Sequence, residues 1–245
     1  MNPIIQSLFD RKSCRIFEDK DISQEERKLI LEATMQAPSA GNQQMYTIID
    51  VQDKKLQETL SKTCDNQPFI NQAKMVLIFC ADFQKWYDFF KYENCNPRKP
   101  GVGDLLLATT DATIAAQNAV VAAESLGIGS CYIGDILEQH DLHGELLNLS
   151  EYVVPVCMLV LGYPTSDHFK RQKPERCQLE DIVCVNHYQR KSQQELENMF
   201  EHKAGNKTLH EWATAFCNRK YNSDFSKEMT DSVQKYIDQF KSEAD

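Results

Sequence analysis

Arg11-Lys12-Ser13-Cys14-Arg15 sets three cations and a hydroxyl side by side, in a chain whose formal net charge is −9. Guanidinium forks bind phosphate oxygens bidentately and a neighbouring hydroxyl adds a donor, so such a knot suits a phosphorylated ligand. A solvated turn would carry the same residues, and the knot alone does not decide between the two. Three further polar spots follow: Ser39-Ala40-Gly41-Asn42-Gln43-Gln44, Asn66-Gln67, and Lys173-Pro174-Glu175-Arg176. Two of the four spots are cationic and two are rich in amide side chains. Cys14, His140, His143 and His187 read as structural or surface residues rather than as a nucleophile or proton donor.

Each spot falls at the end of an expected element. Asn2 as cap and Pro3 at the first helical position open a short helix just ahead of the knot. Ser23 and Glu26 have capping-box spacing, and the helix they start should turn Leu29, Ile30 and Ala33 inward. Strands are expected at residues 46–51, 75–80, 129–133, 155–161 and 182–185, and helices at 53–60 and 81–91. The run from Met75 to Cys80 is continuously apolar, as in a strand buried on both faces. The longest helical signal covers residues 105–126 and stops at Gly127. Along it Ala108, Ala112, Ala115, Ala119 and Ala122 draw one narrow stripe, which serves either core packing or a twofold subunit contact. Beyond Gln189 the sequence reads as charged helices with few apolar anchors, too few for a core of its own.

The bulk properties narrow the class. An acidic chain of 245 residues disfavours nucleic acid or an anionic membrane as main partner, since both reward a broad basic face. The nine cysteines are odd in number, lack C-x-x-C spacing, and in the cases of Cys80, Cys157 and Cys184 lie inside apolar runs. They read as reduced thiols of a cytoplasmic protein, with no metal site and no disulfide framework. No apolar leader is expected at the N-terminus and no stretch approaches a membrane span. Strands and helices interleave without G-x-G-x-x-G, which argues against a doubly wound dinucleotide fold.

Flavin mononucleotide needs the mixture that the four spots offer: cations for its phosphate, hydroxyls and amides for its ribityl chain and ring edge. The chain also resembles the nitroreductase family of flavoenzymes, specifically the group that includes the oxygen-insensitive major nitroreductases and the NADPH-flavin oxidoreductases. The resemblance is carried by Arg11-x-Ser13-x-Arg15-x-Phe17, Ala37-Pro38-Ser39, Asn66-Gln67-Pro68-Phe69-Ile70 and Phe79-Cys80-Ala81-Asp82-Phe83. It continues through Asp111-Ala112, Ala116-Gln117-Asn118-Ala119, Ala122-Ala123-Glu124-Ser125-Leu126-Gly127, Tyr132-Ile133-Gly134, Leu161-Gly162-Tyr163-Pro164 and Lys173-Pro174…Arg176.

That resemblance implies an α+β fold with a central mixed β-sheet flanked by helices, in a homodimer. An FMN-binding core would cover residues 1–188 and a helical extension residues 189–245, packing on the core or on a partner subunit. It implies that Arg11 and Ser13 hold the phosphate and ribityl end, and that Arg15 lies near the ribityl chain and the pyrimidine edge. Ser39 and the amides after it, Asn42 included, would reach the flavin from the partner subunit. Gln67 would bond the ring's polar edge, and Ile133-Gly134 would form the turn beside it. Lys173 and Arg176 would make a second phosphate clamp, although the group often reads Lys-Pro-Arg where this chain has an extra Glu175. Ala40 stands where the family commonly has a serine, and Lys203 falls near where some members place an arginine for the NADPH 2′-phosphate. The implied activity is NADPH-preferring reduction of small-molecule acceptors (nitroaromatics, quinones or free flavin) by two hydride transfers through bound FMN. A specialised reductase of one acceptor, or an FMN-binding homodimer with little turnover, would carry the same residues.

Overall fold

The computed structural model describes residues 1–241. The chain forms two compact units, Met1–Gln172 joined by the chain from Met229 on, and Lys173–Glu228. In chain order the first holds α1 (Pro3–Asp10), α2 (Gln24–Thr34), β1 (Tyr46–Asp50), α3 (Lys54–Thr63), α4 (Pro68–Gln72), β2 (Met75–Asp82) and α5 (Gln84–Tyr92). It continues with α6 (Val102–Ser125), β3 (Gly129–Ile133), α7 (His140–Leu146), β4 (Val153–Gly162) and α8 (Ser166–Lys170). The second holds α9 (Leu179–Ile182), α10 (Gln193–Phe200) and α11 (Leu209–Lys220). In α12 (Asp224–Gln239) the residues from Met229 on belong to the first unit.

The helix starts follow from local chemistry. The Asn2 side chain accepts from the Ile5 N–H at 2.9 Å, and Pro3 needs no donor there. Ser23 and Glu26 cap each other's backbone at 3.2 and 2.9 Å, satisfying two donors that the first turn leaves free. In α2, Ile30 is buried, whereas Leu29 is 51 % exposed and Ala33 only half-buried, so the inward face is narrower than the periodicity predicts.

The four strands lie in the order β1-β2-β4-β3. Every neighbouring pair runs antiparallel, with Ile48 opposite Phe79, Leu77 opposite Leu159, and Tyr132 opposite Leu159. The mixed sheet expected from the resemblance is therefore antiparallel among the described residues. β2 is buried at all eight positions because both faces of the sheet are covered, not because its neighbours are parallel. Met75, Leu77 and Phe79 pack into one apolar cluster, while Val76, Ile78 and Cys80 pack into another on the opposite face. Truncating fully buried Phe79 would cost about 3–5 kcal/mol on the usual scale.

α6 resolves the alanine stripe as core packing. Ala108, Ala112, Ala115 and Ala119 are at most 1 % exposed, and the last three share a cluster with Leu77, Phe79 and Ile30. Ala122 is half-buried at the margin. By length and composition alone the helix would pass for a membrane span, but its alanine face lies in the core. It ends at Gly127, whose φ of 73° is the left-handed conformation a helix stop uses. Tyr236 and Phe240 close a third cluster with Met45, Ala81 and Tyr152. The strand expected at residues 182–185 does not form. Its start belongs to α9, and Ile182, Val183 and Val185 are 67, 55 and 74 % exposed. Cys184 is likewise exposed rather than buried.

Candidate functional site

The cationic knot is held against the sheet by its own backbone. α1 ends at Asp10, and the chain then runs extended past β3 and the end of β4. The Cys14 N–H donates to Ser130 O at 2.8 Å, Phe17 bridges Pro164, and the Glu18 N–H donates to Tyr163 O at 2.8 Å. This close approach needs two glycines. A Cβ on Gly129 would come within 2.7 Å of Cys14 Cβ, and one on Gly162 within 2.7 Å of the Phe17 ring. Cys14 is fully buried by the docking and its thiol is pushed up by burial, so it is a packing residue.

Docking gathers the chemistry of the knot at one place. Burial pushes the Cys131 thiol up, while Arg15, Ser13 and Arg11 pull the other way without prevailing, which places all three beside β3. The Arg15 guanidinium lies 5.8 Å from the centre of the Phe69 ring. Arg11 Nε is buried with no hydrogen-bond partner. Lys12 is differently employed: its Nζ donates to Phe169 O at 3.5 Å and to Arg171 O, closing the end of α8.

Gln67 joins this surface from the start of α4. Its Nε2 donates to Cys64 O at 2.9 Å and to Asp135 Oδ2 at 3.1 Å, which ties it to the turn that begins at Gly134. A Cβ on Gly134 would meet nothing within 4 Å, so the turn is open above its backbone. Ile133 is buried in the core and offers only its main chain. Arg11, Ser13, Arg15, Gln67, Ile133 and Gly134 thus share one edge of the sheet.

Ser39 and Asn42 do not join them. Their loop leads into β1, the opposite edge, three strand spacings or about 14 Å from β3. The loop is a rigid body in itself. Gly41, Asn42 and Gln44 adopt left-handed φ of 57, 56 and 49°, and Ser39 Oγ accepts from the Gln44 N–H at 3.0 Å. Trp86 Nε1 donates to Gln43 O at 2.9 Å. Asp111, 2 % exposed on α6, accepts from the Ala40 and Met45 N–H groups at 2.9 and 3.2 Å. Asp111 escaped the sequence reading as a positioning residue. Its signal was a carboxylate inside an otherwise apolar helix, which must be paired when buried. Beside the loop lies a cleft of about 470 Å³ lined by Gln43, Gln44, Lys85, Trp86 and Phe89. Burial lowers the Lys85 pKa there, and its Nζ donates to Tyr46 O at 2.6 Å.

Lys173, Arg176 and Lys203 belong to the second unit. Arg176 is exposed and donates to Pro174 O at 3.3 Å, and Lys203 is exposed in a 3₁₀ turn, Glu201–Lys203.

A small antiparallel sheet sheathed in helices, with cations gathered on one edge and a hydrogen-bonded amide loop on the other, defines an α+β protein whose candidate polar residues lie in two separate groups. Residues 8–163 match the family described as "Nitroreductase family". The chain is 39 % identical over 180 residues to the FMN reductase [NAD(P)H] of Bacillus subtilis, covering 71 % of this chain and 70 % of that protein. It is 34 % identical over 190 residues to the oxygen-insensitive NADPH nitroreductase of Salmonella typhimurium, covering 77 and 76 %. Among solved structures, B. megaterium NfrA2 superposes with a TM-score of 0.82 at 33 % identity, covering 99 % of this chain and all of that one. The chain belongs to the nitroreductase family.

Proposed function

We propose that the protein is an FMN-dependent, NADPH-preferring oxidoreductase that reduces nitroaromatics, quinones or free flavin, and that it works as a homodimer in the cytoplasm. The observation that carries this reading is the convergence of Arg11, Ser13 and Arg15 with Gln67 and Gly134 on the β3 edge of an acidic chain. Arg11 Nε, buried without a partner, is the atom that a phosphate would satisfy. The residues present therefore fit the cofactor. Bound FMN would supply the hydride chemistry, and no side chain need act as nucleophile. Arg11 and Ser13 hold the phosphate and ribityl end. Arg15 places positive charge at the pyrimidine edge, which favours a flavin carrying negative charge. Gln67, fixed by Asp135, and the main chain at Ile133 and Gly134 orient the ring. Lys203 adds a cation for the nucleotide.

The separation of the half-sites supports the homodimer. One chain holds Ser39 and Asn42 on the edge opposite its own knot, which supports their supply by a second copy. The dimer would also cover the apolar face of α1, where Ile4, Leu8 and Phe9 are 65, 47 and 63 % exposed. Mixed dimers test this geometry. An Arg11→Met chain and a Gly41→Val chain, each impaired alone, regain activity when co-expressed, because one of the two sites then has neither defect. Equal impairment of the mixed dimers would refute the shared site. Steady-state assays against an oxidant panel separate the broad reductase from a specialised one, and absence of turnover with retained FMN would favour a binding role.

A further inference from the structure

From Met229 on, α12 belongs to the first unit, and it buries Ser232 against the turn that follows Gly134. The Ser232 hydroxyl donates to Leu137 O at 2.7 Å and accepts from the His140 N–H at 2.9 Å. The second bond caps α7. That helix starts after Gln139, which has a left-handed φ of 51° and makes no side-chain cap, so a first-turn donor would otherwise go unmet. Ser232 meets it from 92 residues away in the sequence. One turn further along α12, Tyr236 packs on the His140 ring at 4.3 Å, and beyond it Phe240 packs on Tyr152 at 5.2 Å.

The same turn is held from a second side. His143, fully buried on α7, has Nδ1 3.1 Å from Ile136 O and Nε2 2.8 Å from Thr63 Oγ1. A carbonyl can only accept, so Nδ1 carries the proton and Nε2 accepts from the threonine hydroxyl. Gln139 Nε2 donates to Thr63 O at 2.6 Å, tying the turn to the end of α3 just ahead of Gln67. The 3₁₀ turn Asp135–Leu137 is thus clamped at two successive carbonyls, Ile136 and Leu137. Asp135 at its head accepts from Gln67 Nε2, which also donates to Cys64 O. Both amide hydrogens are engaged, so the group that Gln67 can offer a ligand is Oε1, and the carboxylate fixes which way the amide faces.

We propose that Ser232 is a positioning residue for the flavin ring, acting through the Asp135–Leu137 turn on Asp135 and Gln67, an inference that rests on the FMN reading above. The C-terminal helix is thereby part of the cofactor site through other residues. Without the hydroxyl, Leu137 O and the His140 N–H lose their partner, the turn relaxes, and Asp135 no longer holds the Gln67 oxygen outward. The loss falls on the ring edge, which FMN and riboflavin share, and not on the phosphate end.

The test is a fluorescence titration of the full-length, flavin-free protein with FMN and with riboflavin, beside a thermal melt. Ser232→Ala should raise the Kd of both flavins by about three- to tenfold and keep their ratio within about twofold of wild type. Asp135→Ala should raise both by about tenfold. The double variant should bind at most about twofold more weakly than Asp135→Ala alone, because the two residues act in series. Lys235→Met removes the 2.5 Å ion pair that the same helix makes with Asp141 but leaves the turn contact, so both constants should stay within about twofold. A Ser232→Ala protein that melts lower but binds both flavins as wild type does would make the contact merely structural and overturn the proposal. Additive losses in the double variant, or FMN weakened far more than riboflavin by Ser232→Ala, would overturn it as well. In each of those cases the wild type still binds FMN and the functional reading stands. A wild type that binds neither flavin overturns that reading, and this proposal with it.

Discussion

Replacing Arg11 by methionine should move the cofactor-free and cofactor-bound protein in opposite directions. Arg11 Nε is buried without a partner, and an unsatisfied buried polar atom costs about 1–3 kcal/mol. Methionine keeps much of the apolar stem and removes the orphan, so the FMN-free protein should melt at the same temperature or up to several degrees higher, taking about 2–4 °C per kcal/mol for a chain of this size. The bound form loses charge-assisted hydrogen bonds worth about 1.5–3 kcal/mol, which raises the Kd for FMN by about 12- to 150-fold. Thermal melts with and without FMN, with a flavin-fluorescence titration, read both effects. A melting temperature that falls equally in the two forms would make Arg11 a structural residue, and a Kd within threefold of wild type would remove it from the phosphate site.

Other substitutions probe what positions the site. Asp111→Asn leaves one of two backbone N–H donors facing an amide NH₂, so stability should drop by about 3 kcal/mol, or about 6–12 °C, with weaker FMN retention; an unchanged denaturation midpoint would show that the loop does not depend on it. Gly129→Ala drives a Cβ to 2.7 Å from Cys14 Cβ and 2.9 Å from Pro164 Cγ, and the resulting strain of about 1–3 kcal/mol should loosen the knot and FMN together; wild-type stability and affinity would contradict the docking geometry. His168 is held below its ordinary pKa by burial and then by Lys12 and Arg171, so the unfolded chain binds the proton first on acidification. Its contribution is complete above about pH 6.5 and is lost as pH falls from there toward the lowered folded value. His168→Gln should flatten that part of the stability–pH curve, and an unaltered slope would assign it elsewhere.

The parts of the fold that local chemistry dictates could be read directly from the sequence. Asn2-Pro3, Ser23…Glu26 and Gly127 marked helix ends that the structure keeps, and the strand at 129–133 has the expected limits. Strand direction was not readable, because a run apolar at every position reports cover on both faces and β2 has that cover in an antiparallel sheet. Residues 182–185 have strand composition but find no partner strand in the described chain, so propensity alone could not order them. Within the site, residue types exposed the knot, Gln67 and the loop after Ser39. Their separation onto opposite edges depends on strand order, which no local pattern encodes. Asp111 and the close approach at Gly129 are long-range pairings, visible only once α6 and the knot have docked.

The account stands most directly on anaerobic titration of the purified protein with NADPH, followed at the flavin absorbance band. A yellow protein should bleach fully at one equivalent of NADPH per bound FMN and recover its colour on addition of a quinone. A colourless protein that takes up no added FMN, or a yellow one that NADPH leaves unbleached, would contradict it.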